Sequence, residues 1–264
     1  MYTTLKLSNV LGVIGIIMGF KYQFIAVLCF ALCVGTSASA TIFDAKKAYR
    51  AWVMISKIEH REGLPLGLLH SMSLVETGSG MSGSMLPWPY TLGVNSPGYK
   101  QFNNNEKLKS HLEHHQKLGF KKFDLEINNE KHRNIGYTEI LKLAKFSGSQ
   151  SKINLKPLHF SRQFASKEKA KVFATELLDN DYDNFDIGMM QINWHYHKGG
   201  FESIDDALDV YRNTNYAVSY LRKHRKNRTW WETVGRYHSG TEKYAKKYIR
   251  NVWNMYKRIH NLDV

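Results

Sequence analysis

The segment 64–75 constrains this chain more than any other, because it is almost wholly apolar and is followed directly by the carboxyl group of Glu76. Pro65 stands near its start, where a helix tolerates proline because that backbone N–H has no partner. Gly78 and Gly80 predict where it ends. We therefore predict a buried helix that carries Glu76 in its last turn. The buried stripe of this helix is predicted to comprise Leu68, Leu69, Met72 and Val75.

The remaining periodic segments predict further helices and little strand. Asp44 is the predicted N-cap and Gly63 the predicted stop of a first helix. Residues 229–232, Thr-Trp-Trp-Glu, match a capping box. Residues 86–102 place β-favouring side chains on both sides of the Pro/Gly turn 95–98, which predicts a short β-hairpin. The fold is therefore predicted to be mainly α, that is α+β with a small β element. Helices are predicted over 44–62, 167–178, 213–226 and 241–261, with another starting at Ser203.

Residues 103–165 differ in character from their surroundings. They hold twelve Lys/Arg, six Asp/Glu and five His. Helical patches are predicted over 105–118 and 137–146, with polar connectors between them. We interpret this stretch as a basic lobe inserted into one domain that spans 41–264. The lobe either contacts an anionic partner or is a solvated decoration, and the sequence leaves both open.

Residues 1–40 have the composition of an export signal. The apolar run 24–34 follows Lys21, and residues 38–40, Ala-Ser-Ala, offer an A-x-A cleavage site. We expect cleavage there and export of residues 41–264. The alternative is a retained membrane anchor, although Lys21 divides the apolar stretch into halves that are each too short to span a bilayer.

The net charge of +14 favours an anionic partner through long-range attraction. Nucleic acid would suit this charge in the cytoplasm. An exported chain instead meets an anionic cell wall or membrane surface, so we expect no nucleic-acid partner. A solvated basic surface that aids solubility is the alternative. The two cysteines, Cys29 and Cys33, both fall within the leader, so no disulfide is expected after export.

Glu76 combines two features that raise the pKa of a carboxyl group. The apolar helix face around it disfavours the charged form. The C-terminal end of a helix dipole also disfavours a negative charge, by about 0.3–1 kcal/mol at an exposed site. A carboxyl group that stays protonated near neutral pH suits a proton donor. Taken alone, the residue fits an exposed glutamate at a helix end better, so the later motifs decide.

Three segments together resemble the catalytic domain of bacterial lytic transglycosylases, the goose-type-lysozyme-like family that acts on peptidoglycan. The family's Glu-Ser-Gly, Gly-Leu-Met-Gln-Ile-Asn and Ala-Tyr-Asn-Ser-Gly appear here as Glu-Thr-Gly at 76–78, Gly-Met-Met-Gln-Ile-Asn at 188–193 and Arg-Tyr-His-Ser-Gly at 236–240. The resemblance covers about 43–102 and 164–259. It implies a lysozyme-like helical domain.

The resemblance also implies the chemistry of Glu76. This residue would protonate the leaving oxygen of a MurNAc-β-1,4-GlcNAc bond and then act as base toward the sugar's own 6-hydroxyl. The product would be a 1,6-anhydro-muramyl end. One carboxyl group suffices for that reaction, whereas ordinary glycosidases use two.

Further roles follow from the other two matched motifs. Tyr237 would hydrogen-bond Glu76 or the nearby sugar, and Met190 would line the −1 region of the cleft. Gln191 and Asn193 would hold acetamido or ring hydroxyl groups. Ser239 would stabilise either its turn or the substrate. All of these side chains come from segments that the resemblance places around the cleft.

Three residues depart from the family's pattern or leave its chemistry open. Thr77 replaces serine and keeps a hydroxyl that can hydrogen-bond substrate. His238 replaces asparagine and can titrate near neutral pH. Asp186 is a possible second carboxylate, which would permit hydrolysis, but we favour a structural role in which it caps the turn before Gly188.

Residues 88–91 and 98–99, together with Asp186, look like the subgroup associated with secretion and conjugation systems. The implied partners are peptidoglycan glycan strands and, for that subgroup, a secretion or conjugation apparatus. With the export signal, the expected location is the periplasm. We expect a monomer.

The histidine clusters 111–115 and 195–197 raise the question of a metal. A structural zinc site needs four ligands, and the first cluster lies in the insertion, away from the three motifs. We therefore predict neither a metal nor another cofactor. Two other functions stay open: a hydrolytic muramidase on the same fold, and a non-catalytic cell-wall-binding or secretion-assembly component.

Overall fold

The structure, a computed structural model, describes residues 37–81, 84–146 and 151–262. The export signal predicted over 1–40 lies outside these residues apart from its last four. Within the described ranges, no helix has both the length and the apolar character needed to cross a membrane.

The described residues form helices with three small antiparallel sheets, so the predicted α+β class is confirmed. The helices are α1 (Ser37–Arg61), α2 (Leu68–Thr77), α3 (Asn105–Lys117), α4 (Tyr137–Phe146), α5 (Lys167–Asp179), α6 (Trp194–His197), α7 (Ile204–Ala207), α8 (Val210–Arg225), α9 (Trp230–His238) and α10 (Glu242–Ile259). The strands are β1 (Gly78–Met81), β2 (Ser84–Pro87), β3 (Thr91–Val94), β4 (Lys100–Phe102), β5 (Phe123–Ile127), β6 (Glu130–Ile135), β7 (Ile153–Pro157), β8 (Phe160–Gln163), β9 (Phe185–Ile187) and β10 (Ile192–Asn193).

Helix α2 is the buried centre of the fold, as its periodicity predicts. It packs against α1, α10 and β2, and its predicted stripe is fully buried except for Val75. Its first turn is held by Glu59 of α1. The Glu59 carboxylate accepts hydrogen bonds from the N–H groups of Gly67 (2.9 Å), Leu69 (2.5 Å) and His70 (3.3 Å). A carboxylate at this position satisfies donors that have no partner within the helix and suits the positive end of its dipole.

The first helix begins earlier than predicted. α1 starts at Ser37, so Asp44 lies inside the helix instead of capping it. The predicted stop at Gly63 holds: this residue has a φ of 60°, a left-handed conformation that glycine adopts without strain. The predicted capping box at Thr229 and Glu232 is present at the start of α9.

The predicted hairpin across residues 95–98 is wrong. β3 pairs with β8 on one side and β9 on the other, while β4 pairs with β7 in a different sheet. All four residues of β3 are buried. β3 lies inside its sheet, and the strands on both of its edges come from distant parts of the chain. A hairpin does occur earlier, between β1 and β2, with Gly78 opposite Pro87, and it begins two residues after Glu76.

The insertion contains the two predicted helices, α3 and α4, but the predicted polar connectors include strands. β5 and β6 lie between the helices, and β7 follows them in a sheet of order β4-β7-β5-β6. The alternation of buried Phe123, Leu125 and Ile127 with half-buried Asp124 and Glu126 is the strand signal that the basic composition obscured. The side chains of this lobe join the same hydrophobic cluster as those of α2 and β3.

Candidate active site

Glu76 lies in the last turn of α2, where the chain leaves the helix for β1. The Gly78 N–H donates to the Leu74 carbonyl and ends the helix. A side chain at position 78 would collide with that carbonyl and would approach the Met85 methyl group to 2.9 Å. Glycine at this position therefore allows the turn that places Glu76 at the end of a buried helix.

Burial is the main cause that raises the pKa of Glu76 from its ordinary 4.5 to about 7. The charge of Asp186 raises it further, while the Tyr248 hydroxyl lowers it. The residue as a whole is half-buried. A carboxyl group with this pKa is available both as an acid and as a base near neutral pH.

Tyr248 of α10 interacts electrostatically with Glu76. The Tyr248 hydroxyl is buried and makes no conventional hydrogen bond within the described part of the chain, yet it acts on the Glu76 carboxylate as a donor. Burial and the nearby Glu76 charge hold the pKa of Tyr248 well above its usual range, so it keeps its proton.

Tyr237 approaches the same carboxyl group but does not donate to it. Its hydroxyl donates to the Met190 carbonyl at 2.6 Å. Burial, followed by the charges of Glu76 and Asp186, raises the pKa of Tyr237 well above its usual range. Of its two predicted contacts, the hydrogen bond to Glu76 is absent, and the contact with the nearby sugar stays a prediction. Tyr237 joins α9 to the 188–193 segment.

The Asn213 side chain stabilises the turn of the 188–193 segment through hydrogen bonds to backbone groups. The Asn213 amide donates to the carbonyls of Ile187 and Ala207, both at 3.0 Å, and accepts from the Met190 N–H at 2.9 Å. Gly188 has a φ of 79°, and any side chain there would collide with Asn213. A glycine is thus required by both conformation and space.

Gln191 and Asn193 point into this part of the site but are already engaged. The Gln191 side-chain N–H groups donate to the carbonyls of Gly188 (2.7 Å) and Thr91 (3.2 Å). Asn193 donates to Asp186 at 2.9 Å and caps α6. Both side chains remain half-buried, so substrate contact is compatible with the exposed remainder of each.

Asp186 has a structural environment, although not the one predicted. Its carboxylate accepts from the side-chain amides of Asn193 (2.9 Å) and Asn95 (3.0 Å), and no backbone group of the following turn donates to it. Burial raises the pKa of Asp186, and these two donors lower it in part. His159 lies close enough to lower that pKa as well. The Asp186 carboxylate is therefore held by two side-chain amides, which fits a structural role.

Two predicted substrate contacts are contradicted by burial. Thr77 is 3 % exposed, and its hydroxyl donates to the Ser73 carbonyl (3.0 Å) and accepts from the Trp88 N–H (3.2 Å). Met190 is 0 % exposed. Neither side chain offers a surface to substrate, because Thr77 satisfies backbone groups at the end of α2 and Met190 fills the core.

His238 and Ser239 lie at the end of α9. The His238 ring stacks on the Tyr248 ring, and burial followed by Lys247 lowers the pKa of His238 below its usual value. This histidine is therefore neutral at pH 7. The Ser239 hydroxyl accepts from the Thr241 N–H at 3.1 Å, which supports the turn role among its two predicted alternatives.

Sequence reasoning missed four residues of this site: Tyr248, Asn95, Asn213 and His159. Tyr248 lies in the range 241–261, for which the sequence predicted a helix and no site residue. The two asparagines carry no motif signal, because each acts through a contact with a distant part of the chain. Within the described ranges, no group of three or more His, Cys, Asp or Glu side chains is arranged to hold a metal ion.

Residues 159–259 match the family model of the transglycosylase SLT domain. This range runs from β8 to the end of α10 and contains both the 188–193 segment and residues 236–240. Glu76 precedes it. Comparisons with curated proteins and with solved structures found no match. The SLT match supports lytic transglycosylase activity in general, with peptidoglycan as the substrate, and agrees with an α+β lysozyme-like fold.

Proposed function

We propose that this protein is an exported lytic transglycosylase that cleaves the MurNAc-β-1,4-GlcNAc bond of peptidoglycan with Glu76 as its single acid/base. The observation that carries the proposal is the Glu76 carboxyl group, which has a pKa of about 7 and faces the segment that matches the SLT domain. An acid of this kind can give a proton in one step and take one in the next without a second carboxyl group.

The reaction balances with substrate alone. Protonated Glu76 gives its proton to the bridging oxygen as the bond from that oxygen to C1 of the muramyl sugar breaks. The 6-hydroxyl oxygen of the same sugar then bonds to C1, and its proton passes to the Glu76 carboxylate. The product is a 1,6-anhydro-muramyl end, no water is consumed, and Glu76 returns to its starting state.

Asp186 is the residue on which the hydrolytic alternative depends. A hydrolytic muramidase would use a second carboxylate as base or nucleophile. The side-chain amides of Asn193 and Asn95 both donate to the Asp186 carboxylate, which favours a positioning role for Asp186 within the site. Its charge also raises the pKa of Glu76, which keeps the acid protonated.

The two products differ in mass, which gives a direct test. Purified sacculi are digested with the protein, and the released muropeptides are weighed. We expect anhydro ends, which are lighter than reducing ends by one water. A digest that contains only reducing ends would establish the hydrolytic muramidase instead.

A second test addresses the non-catalytic alternative, a wall-binding or secretion-assembly component. Glu76→Gln is compared with Glu176→Gln, the same chemical change at an exposed position on α5. We expect Glu76→Gln to lose about 10²–10⁴-fold in rate, the usual contribution of a general acid, while Glu176→Gln stays at wild-type activity. Full lytic activity in Glu76→Gln would show that this residue is not the catalyst.

Export and partner are part of the same proposal. The A-x-A site at 38–40 supports cleavage of a leader and a periplasmic location, and a retained anchor is the alternative. Residues 88–91 support service to a secretion or conjugation apparatus. Cell fractionation with N-terminal sequencing of the recovered protein tests the first point. Co-purification with the apparatus, together with the oligomeric state in solution, tests the expected partner and monomer.

A further inference from the structure

A cavity of about 450 Å³ lies at the far end of the helices that carry the active site. Leu68, the first residue of α2, lines this cavity, while Glu76 lies at the other end of the same helix. Eight residues of helix correspond to about 12 Å. The cavity is therefore separate from the site around Glu76, although both are built from α2, α9 and α10.

The walls of the cavity are mainly aromatic. Trp253 and Tyr256 on α10 lie nearly parallel, with an interplanar angle of 10°. Trp231 on α9 stands at 88° to each of them, with ring centroids at 4.8 Å from Trp253 and 5.4 Å from Tyr256. Trp253 and Tyr256 are thus stacked, Trp231 stands edge-on to the stack, and Trp253 is 40 % exposed.

Polar groups at this cavity are left free for a ligand. The indole N–H groups of Trp230, Trp231 and Trp253 have no hydrogen-bond acceptor within the described part of the protein. Arg225, whose guanidinium lies 5.0 Å from the Trp230 ring centre, makes no ion pair there either. Arg225 is the cation among the residues that line this cavity. The rim therefore carries one guanidinium group beside the indole N–H donors.

We propose that this aromatic pocket is a second binding site for an anionic glycan, the same polymer that the active site takes, so the proposal rests on the proposed function. The C–H face of a pyranose ring packs on the exposed Trp253 ring, the indole N–H groups donate to its hydroxyl or acetamido oxygens, and Arg225 faces a carboxylate. The volume lies within the range of about 300–1,000 Å³ that is usual for small-ligand sites.

The shape of the pocket favours a glycan over a lipid surface. Side chains that enter a bilayer interface protrude from the protein, whereas these rings line a concavity. A glycan strand held here stays attached while the active site, one helix length away, releases its product. The pocket thus serves to keep the enzyme on the polymer between cleavages.

The test separates binding from cleavage. Trp253→Ala is made in the inactive Glu76→Gln background, and binding to purified sacculi is measured. We expect the dissociation constant to rise about tenfold, as for the loss of one exposed aromatic anchor. Tyr244→Ala, which removes an aromatic side chain that is 56 % exposed on the same helix but outside the pocket, is expected to bind as Glu76→Gln alone. Trp253→Phe should retain most of the binding.

In the active background, Trp253→Ala should cleave a short soluble fragment at the wild-type rate, because such a fragment fills only the active site. Unchanged binding of sacculi by Trp253→Ala would overturn the proposal. If Trp253→Ala loses binding to vesicles of anionic phospholipid but not to sacculi, the proposal would be overturned in favour of a membrane surface. If Trp253→Ala loses binding to intact sacculi but not to glycan strands freed of peptide, the proposal would be overturned in favour of the peptide stems. Full cleavage of sacculi by Glu76→Gln would show that the proposed function has failed. The comparison of binding with and without the Trp253 side chain would still be interpretable.

Discussion

The His238 ring lies parallel to the Tyr248 ring, with centroids 4.4 Å apart and an interplanar angle of 4°. This stack holds Tyr248 with its hydroxyl directed toward Glu76, which that hydroxyl affects as a donor. A residue of the 236–240 motif thus reaches the acid indirectly, through a tyrosine on the next helix.

Tyr248→Phe is expected to shift the pH dependence of the reaction. The Tyr248 hydroxyl lowers the pKa of Glu76, so its removal raises that pKa further above 7. Because the proposed cleavage requires protonated Glu76, the decline of kcat/KM with rising pH should move to higher pH. Tyr244→Phe, the same change at an exposed position of α10, is the control. A pH profile of Tyr248→Phe that coincides with the wild-type profile would contradict this role.

Glu76→Gln is expected to stabilise the fold at alkaline pH and to have little effect in acid. The folded protein keeps a proton on Glu76 up to about pH 7, whereas an unfolded chain releases it near pH 4.5. The native state therefore loses stability as pH rises from about 4.5 to 7, by about 1–3 kcal/mol. Glutamine carries no such cost. Urea unfolding at pH 4 and pH 8 measures the difference, and an equal effect at both pH values would argue against a raised pKa.

Asn213→Ala is expected to cost about 2–4 kcal/mol of stability and to reduce activity. The change leaves the carbonyls of Ile187 and Ala207 and the Met190 N–H without their buried partner, and each unsatisfied group costs about 1–3 kcal/mol. Ser219→Ala, at an exposed position of the same helix, serves as control. Thermal unfolding and cleavage assays together check the prediction. Full activity at full stability would show that the 188–193 segment holds its shape without Asn213.

Glu59→Gln is expected to destabilise the protein by about 1–3 kcal/mol, measured by urea unfolding. The substitution replaces a carboxylate that accepts from three backbone N–H groups with an amide that has one acceptor oxygen. Glu113→Gln, on the exposed face of α3, should stay within about 0.5 kcal/mol of wild type. A Glu59→Gln protein as stable as that control would mean that α2 needs no anchor at its first turn.

Local patterns predicted the features of this fold that depend on local physics. The periodicity of residues 64–75 gave α2 and the place of Glu76, and the capping box at Thr229 gave the start of α9. Strand pairing was mispredicted, because the partners of β3 lie far along the chain and the turn at 95–98 suggested a nearer one.

The functional side chains show the same division. The motifs led to Glu76 and to the 188–193 segment, but they assigned Thr77 and Met190 to substrate. Whether a hydroxyl meets substrate or a backbone carbonyl depends on packing that no local pattern contains. Tyr248 sits in an ordinary inward stripe of α10, so only its contact with Glu76 across the fold distinguishes it from a core tyrosine.

The fit of Gly188 against Asn213 has an evolutionary consequence. A side chain at 188 would collide with Asn213 and strain the backbone, and Asn213 supports three backbone groups, so a change at either position is harmful. Descendants of this sequence should therefore keep both residues: Gly188 in the motif and Asn213 outside it should be retained together.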